Sequence, residues 1–351
     1  MHDVNNEEVV MRAVLLSGGE GTRVRPFTLT TPKPFLSIAN LPLIYYQFLL
    51  LKKYNFSEVI VGVGYKADYF RRAVGPAARK AGIKAVISSE NTPLGTGGGL
   101  KNAGRFFGKK DKEPFIVFNG DVITDLNLER ILAVHREKEA YATIGIVRVN
   151  DPSPYGLVVM DGESGIKKFI EKPKKDEIIT DTINAGIYVF SPGVFGDIPP
   201  GRPVSLEKEV IPSMLEKGMS MRGYVHYGYW IDVGNVDLYR RANFDAVDGK
   251  TGLVHEVSEM NEGKLLAGRK TVLKEGVRIK GKVIIGDNCF VGRDCFLEDS
   301  IILGNTIIRD RCVISGSTIG ADVLVENDCV ISCAAIADKS LVRPFTRISG
   351  R

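Results

Sequence analysis

A glycine-rich segment with three cations, residues 17–34, contains the groups of this 351-residue chain that are best suited to bind phosphate. It reads Ser-Gly-Gly-Glu-Gly-Thr-Arg-Val-Arg-Pro-Phe-Thr-Leu-Thr-Thr-Pro-Lys-Pro and follows an apolar run, residues 13–16, that predicts a buried first strand. Its glycines let the backbone approach a ligand closely, because no Cβ intervenes. Arg23, Arg25 and Lys33 add fixed positive charge. A glycine-rich turn with cations after a strand predicts a polyphosphate site.

Two common glycine motifs are absent from this segment. The phosphate loop Gly-x-x-x-x-Gly-Lys-Ser/Thr does not occur in the chain. The dinucleotide fingerprint fails because Val24 stands where its third glycine would be, and residues 39–43 contain no carboxylate. A nicotinamide-dependent hydride transfer is therefore disfavoured.

The segment from Gly18 to Pro34 resembles the signature of the sugar-phosphate nucleotidyltransferases, or nucleotide-sugar pyrophosphorylases. Their pattern is Gly-Gly-x-Gly-Thr-Arg-x-x-Pro-x-Thr followed by Pro-Lys-Pro. The resemblance implies an enzyme that joins a nucleoside triphosphate to a sugar 1-phosphate and releases pyrophosphate. It also implies a set of nucleotide-binding residues in this sequence: Leu16, Gly18, Gly19, Gly21, Thr22, Arg23, Gly95, Thr96 and Asp121.

Two aspartates resemble the family's ligands for a catalytic magnesium ion. Asp121 ends Phe118-Asn119-Gly120-Asp121, directly after a predicted strand, and Asp232 lies in Tyr229-Trp230-Ile231-Asp232-Val233-Gly234. Magnesium prefers a few hard oxygen ligands together with substrate phosphates and retained waters, so two carboxylates suffice. The resemblance implies a catalytic set of Arg23, Lys33, Asp121 and Asp232. Asn235-Val236 replaces the Thr-Pro of many relatives, so we expect the turn after Gly234 to differ.

Three further strings, in the family's order, resemble its sugar-phosphate site. The resemblance implies that Lys172, in Glu-Lys-Pro, holds the sugar's phosphate and that Glu171 holds its hydroxyl groups. Tyr155 and Gly156 would bring backbone close to the sugar ring. Asn184 would offer an amide to a hydroxyl group at the start of a predicted strand over residues 187–190.

The segment Pro-Leu-Gly-Thr-Gly-Gly-Gly, residues 93–99, occupies the place where the family lines its base pocket. Leu-Gly-Thr resembles the mannose-1-phosphate guanylyltransferase branch, which implies GTP and mannose 1-phosphate as substrates. Gly98 and Gly99 depart from that branch's usual Ala-Gly-Pro. Glucose 1-phosphate with UTP or dTTP, and a heptose 1-phosphate with GTP, stay open. So does a non-catalytic regulatory subunit that binds nucleotide sugars.

Composition restricts the partners and the compartment. The chain is 44% hydrophobic and 25% charged, as in ordinary globular proteins, and its net charge of +5 suits an anionic small molecule. Without a dense Lys/Arg block we expect no nucleic acid partner. No apolar run approaches the roughly 20 residues of a membrane span. Residues 1–10 are polar, lack the apolar core of a signal peptide and predict a disordered leader, so we expect a cytoplasmic protein.

The hydrophobic pattern predicts two domains. Residues 11–248 alternate apolar strands, such as 58–63 and 114–118, with helical patterns at 43–54 and 67–81. This alternation predicts an α/β, Rossmann-like catalytic domain with a mainly parallel sheet and helices on both faces. Ligands bind such sheets beyond the carboxyl ends of the strands, so the residues after the first strand and Asp121 should face one crevice. A linker is expected over 249–263.

Residues 264–351 have a six-residue apolar period, which predicts a left-handed parallel β-helix of hexapeptide repeats. Stepping by six from Val277 to Ile331 meets only apolar residues or cysteine. A second series with the same six-residue step starts at Ile279 and breaks at Arg309, which predicts a phase shift or a change of the inward-facing position. No histidine lies within the repeat, so the histidine-dependent acyltransferase chemistry of similar β-helices is disfavoured. Such a coil instead favours a scaffold for homo-oligomerisation or for regulation.

The five cysteines fall within this repeat. They form no Cys-x-x-Cys pair and no histidine follows His255, so a zinc site is disfavoured. We expect them to be reduced interior residues.

Overall fold

The structure, a computed structural model, describes residues 11–90, 92–108, 111–253 and 255–350, and the predicted leader over residues 1–10 lies outside them. The chain forms two compact units. One comprises the described residues up to Glu20 together with Ile44–Trp230. The other comprises Gly21–Leu43 and the chain from Ile231 onwards. The glycine-rich segment is therefore divided between the two units after Glu20.

Strands and helices alternate along the first two thirds of the chain. The strands are β1 Arg12–Leu16, β2 Ser37–Ile38, β3 Leu41–Pro42, β4 Glu58–Val63, β5 Lys84–Ser89, β6 Phe115–Asn119, β7 Val122–Thr124, β8 Ala142–Arg148, β9 Gly156–Met160, β10 Ile166–Glu171, β11 Thr182–Phe190, β12 Met221–Val225 and β13 Trp230–Asp232. The helices are α1 Leu43–Lys53, α2 Ala67–Ala81, α3 Gly95–Ala103, α4 Leu128–Glu137, α5 Val194–Asp197, α6 Ile211–Glu216 and α7 Val236–Val247. One π-helical turn, Leu206–Val210, precedes α6.

A nine-stranded mixed sheet forms the centre of the first unit. Strands β6, β1, β4 and β5 run parallel in that order, whereas β11 pairs antiparallel with β6, β8 and β9. The central residues of β1 and β6 are fully buried, as expected for parallel strands that are covered on both faces. The predicted α/β class is confirmed. Helix α2 and strand β4 have the predicted bounds, and α1 ends one residue early.

Short parallel strands stacked in three ladders form the end of the second unit. They are β14 Ser258–Met260, β15 Glu262–Ala267, β16 Val272–Leu273, β17 Arg278–Ile285, β18 Phe290–Val291, β19 Phe296–Ile302, β20 Ile307–Ile308, β21 Val313–Ser315, β22 Thr318–Ile319, β23 Leu324–Val325, β24 Val330–Ser332, β25 Ala335–Ile336, β26 Leu341–Val342 and β27 Arg347–Ser349. β14 is the antiparallel exception. The ladders give a parallel β-helix, as predicted, and its left-handedness stays a prediction.

The coil shortens from 18 to 17 residues part-way along the β-helix, which corrects the six-residue file. Arg278 pairs with Phe296, 18 residues on, but Phe296 pairs with Val313, only 17 residues on. One of the three steps per coil is then five residues, so the interior continues at Ile302, Ile308 and Ile314. Ile307 and Val313 therefore do not point inward as predicted, and Ile307 is 39% exposed. The predicted phase shift is confirmed.

Segment Gly21–Leu43 packs against α7 and the β-helix within the second unit. The Tyr239 hydroxyl donates to the Ser37 carbonyl at 2.9 Å, and the Ala39 N–H donates to Oδ1 of Asn243 at 2.8 Å. Nδ2 of Asn40 donates to the carbonyl of Ile285 in β17 at 2.9 Å. These bonds fix residues 37–40, which follow the glycine-rich segment, to α7 and, through Asn40, to the coil.

Four cysteines, Cys289, Cys295, Cys312 and Cys329, are buried inside the β-helix with free thiols, as expected. Their thiols contact backbone carbonyl groups of the next coil, for example Cys295 Sγ and Arg309 O at 3.0 Å. Cys333 departs from the prediction because its side chain is exposed at a left-handed corner, with φ of 49°. In the described parts of the chain, no helix has both the length and the apolar character needed to cross a membrane.

Candidate active site

The ends of β1 and β6 lie side by side in the first unit and hold the turn that contains Asp121. Leu16 is the register partner of Asn119, and the Gly120 N–H donates to the Leu16 carbonyl at 2.9 Å. A Cβ on Gly120 would stand 2.3 Å from Oγ of Ser17, so only glycine fits there. The structure thus brings Asp121 and the residues after β1 to one edge of the sheet, as predicted.

The first two signature glycines differ in their surroundings. The Gly18 carbonyl accepts a hydrogen bond from the Tyr65 N–H at 3.3 Å, and a Cβ on Gly64 would approach the same carbonyl to 3.1 Å. Gly19 has nothing within 4 Å of a Cβ position and is exposed. Gly18 therefore packs against the neighbouring loop, whereas the backbone at Gly19 is accessible to a ligand.

Glu90 is a site residue that the sequence reasoning missed. Its carboxylate lies 3.7 Å from the Cβ position of Gly18 and 2.7 Å from that of Gly99. Oε2 accepts a hydrogen bond from the Leu94 N–H at 2.9 Å. Burial raises the pKa of Glu90, opposed by that hydrogen bond. In the sequence, Glu90 is only an acidic residue directly after β5, before the loop that leads to α3, and this position does not by itself indicate a site.

Gly95 and Thr96 begin α3 and are contacted by Val204 and by the π-helical turn that follows it. Gly95 has φ of +72°, and a Cβ there would stand 2.5 Å from the Val204 carbonyl. The Thr96 hydroxyl donates to Oε2 of Glu207 at 2.6 Å and accepts from the Leu206 N–H at 2.8 Å. These contacts give Gly95 and Thr96 a structural role. Gly99 is required because Glu90 occupies the space beside it.

A hydrogen-bonded chain connects Thr96 to the predicted sugar residue Asn184. Oε1 of Glu207 accepts from the Tyr188 hydroxyl at 3.2 Å, and Nδ2 of Asn184 donates to that hydroxyl at 2.7 Å. Oδ1 of Asn184 accepts from the Gly186 N–H at 2.9 Å. Asn184 lies inside β11 and not at its start as predicted, because β11 already begins at Thr182 and continues through an irregularity at Gly186.

Glu171 and Gly156 are register partners on β10 and β9. A Cβ on Gly156 would stand 3.0 Å from Oε2 of Glu171, so the glycine leaves room for this carboxylate. Burial raises the pKa of Glu171, and the negative charge of Glu207 adds to the effect, while Lys172 and Lys208 oppose it. Two carboxylates and the Asn184 amide thus face one region with the hydrogen-bonding capacity that sugar hydroxyls require.

Lys172 and Tyr155 flank this region. The Lys172 N–H donates to the Tyr155 carbonyl at 3.0 Å, and Lys172 adopts a left-handed conformation with φ of 51° and an exposed side chain. The Tyr155 ring meets the Trp230 ring edge-on at 5.6 Å, and Trp230 Nε1 donates to the Ala185 carbonyl at 2.9 Å. The predicted sugar residues Tyr155, Gly156, Glu171, Lys172 and Asn184 therefore lie on adjoining elements of the first unit.

The other predicted residues lie in the second unit. Gly21 has φ of +66°, and its carbonyl accepts from the Thr28 hydroxyl at 2.9 Å, so the chain turns there into the short helix Thr22–Val24. Arg23 on that helix is exposed. Nζ of Lys33, a largely buried side chain, lies 3.7 Å from Oδ1 of Asp232. The structure thus brings a predicted cation and a predicted metal ligand together.

Asn235 explains how the chain dispenses with the Thr-Pro of many relatives. Its side chain accepts from the Leu238 N–H at 2.8 Å and caps the N-terminus of α7. Asparagine and threonine are both favoured at this position. The substitution therefore preserves the start of the helix that follows Asp232.

Asp121 in the first unit and Asp232 in the second unit each offer oxygen donors of the kind that a hard divalent cation prefers. Both carboxylates are partly buried, and among the residues that the structure describes no group of three or more His, Cys, Asp or Glu side chains is arranged to hold a metal ion by itself. Beside the Asp121 turn, Oγ of Ser17 and Oδ1 of Asn119 are buried and form no hydrogen bond with the described chain. Water ligands of a magnesium ion could bond such atoms, because this ion keeps several waters.

Comparison with protein families decides the class. The family described as Nucleotidyl transferase matches residues 12–248, and the one described as GMPPB C-terminal domain matches residues 261–350. The chain belongs to the nucleotidyl transferase family. Enzymes of this family generally use a divalent metal ion, and a nucleoside triphosphate and a sugar 1-phosphate are the substrates that its relatives imply.

Curated relatives of this nucleotidyltransferase include mannose-1-phosphate guanylyltransferase from Mycobacterium tuberculosis, 37% identical over 82% of both chains. The catalytic subunit beta of that enzyme from Danio rerio is 36% identical over 80% of this chain and 74% of its own. Among solved structures, HddC from Yersinia pseudotuberculosis complexed with GMP-PN superposes with a TM-score of 0.57 at 29% identity. It covers 66% of this chain and 98% of its own.

Proposed function

We propose that this nucleotidyltransferase transfers a guanylyl group from GTP to mannose 1-phosphate, giving GDP-mannose and pyrophosphate, with magnesium as its metal ion. The proposal is supported by relatives of 33–37% identity that are named mannose-1-phosphate guanylyltransferases. The structural observation that best supports GTP as the nucleotide is the position of Glu90. The heptose 1-phosphate, glucose 1-phosphate and regulatory-subunit alternatives have less support.

Glu90 discriminates between the bases by the pattern of its acceptors. Guanine presents two adjacent N–H donors, N1–H and the N2 amino group, which a carboxylate can accept together. Uracil and thymine present a single N–H between two carbonyl oxygens, which a carboxylate would repel. The proximity of the Glu90 carboxylate to Gly18 and to Gly99 of α3 supports the proposal that it contacts the base. Charge-assisted hydrogen bonds of this kind are stronger than neutral ones.

The nucleotide is proposed to be bound mainly by main-chain groups, because most of the residues predicted to contact it have a small side chain or none. Gly19 offers accessible backbone, whereas Gly95 and Thr96 are engaged in packing α3 and would contribute main-chain groups. The other proposed nucleotide contacts are Leu16, Gly18, Gly21, Thr22, Arg23 and Asp121.

The sugar 1-phosphate is proposed to bind where Tyr155, Gly156, Glu171 and Asn184 adjoin. Lys172 would neutralise its phosphate, and the exposed side chain leaves the ammonium able to reach it. Glu171 would accept hydrogen bonds from sugar hydroxyls, in space that Gly156 leaves open. Asn184, whose amide is fixed by Tyr188 and Gly186, would bond a further hydroxyl through its remaining capacity.

The chemical step follows from the charges of the reactants. An oxygen of the sugar 1-phosphate attacks the α-phosphorus of GTP in line, that bond forms as the bond to pyrophosphate breaks, and no strong base is needed because the nucleophile is anionic. The obstacle is the repulsion between two anions, which positioning and fixed cations offset. Arg23 would hold the triphosphate and Lys33 would stabilise developing charge. Asp121 and Asp232 would hold the magnesium ion, which supplies further electrostatic stabilisation of the phosphates.

The domain limits and the setting of the protein are also proposals. We propose a catalytic domain over 11–248, a linker over 249–263 and a β-helical domain over 264–351, which agrees in outline with the family matches. Self-association through the β-helix is supported by exposed apolar side chains on one of its faces. We further propose a cytoplasmic enzyme without nucleic acid or membrane partners.

The experiment that tests the function measures pyrophosphate release by the full chain, with each of GTP, dTTP, UTP, CTP and ATP against mannose, glucose and N-acetylglucosamine 1-phosphates. A preference for GTP with mannose 1-phosphate, abolished by EDTA and by Asp232→Ala, is the expected result. Turnover of dTTP or UTP with glucose 1-phosphate would overturn the substrate assignment and keep the chemistry. Tight GDP-mannose binding without turnover of any pair would replace the enzyme with a regulatory subunit.

A further inference from the structure

Gln47, a buried residue of α1, contacts the turn that contains Asp121. Nε2 of Gln47 donates to the Asn119 carbonyl at 2.9 Å and to the Val122 carbonyl at 3.0 Å. The side chain is only 2% exposed. A single amide group therefore bonds the backbone on both sides of Asp121, two residues before it and one residue after it.

We propose that Gln47 is a positioning residue that fixes the metal-binding carboxylate of Asp121 for the nucleotidyl transfer. The inference deepens the proposed function and rests on its assignment of Asp121 to the metal. The Gly120 N–H donates to the Leu16 carbonyl and so holds the middle of the turn. Gln47 adds a bond at each end, and three fixed points define the direction in which Asp121 leaves the backbone.

The chemistry of the amide explains why glutamine suits this position. Both partners are carbonyl oxygens that accept hydrogen bonds, and the amide NH₂ supplies two protons in one plane at a fixed angle. A glutamate carboxylate has only acceptor oxygens and would repel the two carbonyl oxygens. Methionine has a side chain of similar length but no hydrogen-bond donor. Removing a group that hydrogen-bonds to a metal ligand and orients it typically lowers metal affinity or activity about 10- to 100-fold.

The test compares Gln47→Met with the matched control Asn102→Leu in the full chain. Nδ2 of Asn102 also bridges two acceptors, Ser88 Oγ at 3.1 Å and the Ser89 carbonyl at 3.0 Å, at the far end of α3. Mn²⁺ binding is measured by its EPR signal with GDP-mannose present, and the Mg²⁺ concentration for half-maximal turnover is measured alongside. We expect Gln47→Met to weaken Mn²⁺ binding and raise the Mg²⁺ requirement about tenfold, with KM for mannose 1-phosphate nearly unchanged.

Two results would overturn the positioning role. In the first, Gln47→Met folds and binds Mn²⁺ with the same affinity as the unmodified protein and Asn102→Leu. If Gln47→Met does not fold, Gln47→Asn, whose amide is one methylene shorter, replaces it and is judged by the same comparison. In the second, Asp121→Asn binds Mn²⁺ normally, which removes the metal assignment itself. Loss of Mn²⁺ binding in Asp121→Asn with normal binding in Gln47→Met would leave the proposed function intact and refute only the role of Gln47.

Discussion

Nζ of Lys33 lies 3.7 Å from Oδ1 of Asp232, and both side chains are largely buried in the same compact unit. Lys33 follows the glycine-rich turn and Asp232 precedes α7, so two strings 199 positions apart in the sequence supply one pair of opposite charges. A carboxylate so placed is neutralised before any cation binds. The ammonium group and a metal ion therefore compete for its charge.

This competition gives a prediction for Lys33→Met. Turnover should fall about 100-fold or more, as for the loss of one preorganised electrostatic group, while binding of Mn²⁺ should tighten because Asp232 loses its internal cation. Steady-state kinetics and a Mn²⁺ titration measure the two effects. Lys53→Met, at the exposed end of α1, is the control. Weaker Mn²⁺ binding in Lys33→Met would contradict this reading of the pair.

The bond between Asn40 and the β-helix should matter for catalysis. Aspartate has nearly the same shape as asparagine and also tolerates the left-handed backbone conformation of Asn40, whose φ is 64°. In Asn40→Asp, however, a carboxylate oxygen replaces the amide donor that faces the Ile285 carbonyl, so the hydrogen bond is lost. Lys33 lies on the same segment, so loss of this bond should displace its ammonium group. We expect kcat to fall about tenfold, because a displacement of about 1 Å of a catalytic group can lower the rate up to about 100-fold. Asn55→Asp, at an exposed residue with φ of 61°, should leave kcat unchanged. Equal rates for the two variants would exclude coupling.

Glu90→Gln should lower the preference for guanine. The amide replaces one acceptor by a donor, and a good bidentate pair is worth roughly 1–3 kcal/mol, or about 5- to 150-fold in the ratio of kcat/KM for GTP and UTP. The ratio is measured by pyrophosphate release. Glu137→Gln, an exposed change at the end of α4, serves as the control. An unchanged GTP-to-UTP ratio in Glu90→Gln would remove the proposed contact with the base.

His135 should make stability depend on pH. Burial lowers its pKa to about 4, and its ring nitrogens lie 3.0 Å from the Thr143 hydroxyl and 3.2 Å from the Ser191 hydroxyl. A histidine with a depressed pKa contributes stability that is present above the unfolded value of 6.5 and is lost as pH falls toward 4. Its contribution to the slope is about 1.4 kcal/mol per pH unit within that window. Urea unfolding of His135→Gln across pH 4–7 should show a shallower dependence.

The apolar face of the β-helix should control self-association. Val272, Phe290, Ile307, Leu324 and Leu341 are successive register partners, and three of them, Val272, Ile307 and Leu341, are 39–55% exposed. Contiguous exposed apolar surface of this kind marks an interaction site. The double variant Ile307→Lys with Leu341→Lys should have a lower mass by light scattering than Ile179→Lys, which alters exposed Ile179 of the first unit. Equal masses would exclude this face.

The sequence predicted those features that depend on local pattern. Strand β4 and helix α2 follow from periodicity, and the approach of Asp121 to the residues after β1 follows from the rule for parallel strands. Glu90 and Gln47 were missed because their roles depend on which loops lie next to them. A lone acid after a strand and a lone glutamine in an apolar helix have no spacing that indicates a site.

The β-helix shows the same limit at the level of a repeat. A six-residue period identified the architecture, yet one five-residue step per coil moved Ile307 to the outside. The residue types there, isoleucine or valine inside and outside alike, contain no signal that could reveal the shorter step. The 17-residue pairings, such as Phe296 with Val313 and Phe290 with Ile307, identify it.

The 17-residue coil also determines how this protein can change length. Each coil from β19 onward hydrogen-bonds to its neighbour at a constant offset, as Phe296 does with Val313 and Val313 with Val330. Duplicating one whole coil would leave the corners, the buried cysteine stack and the outward apolar row aligned, and would simply lengthen that row by one side chain. Insertion or deletion of a complete turn would therefore change the length of the β-helix without disturbing its pairing, and each such step would alter the extent of the outward apolar row.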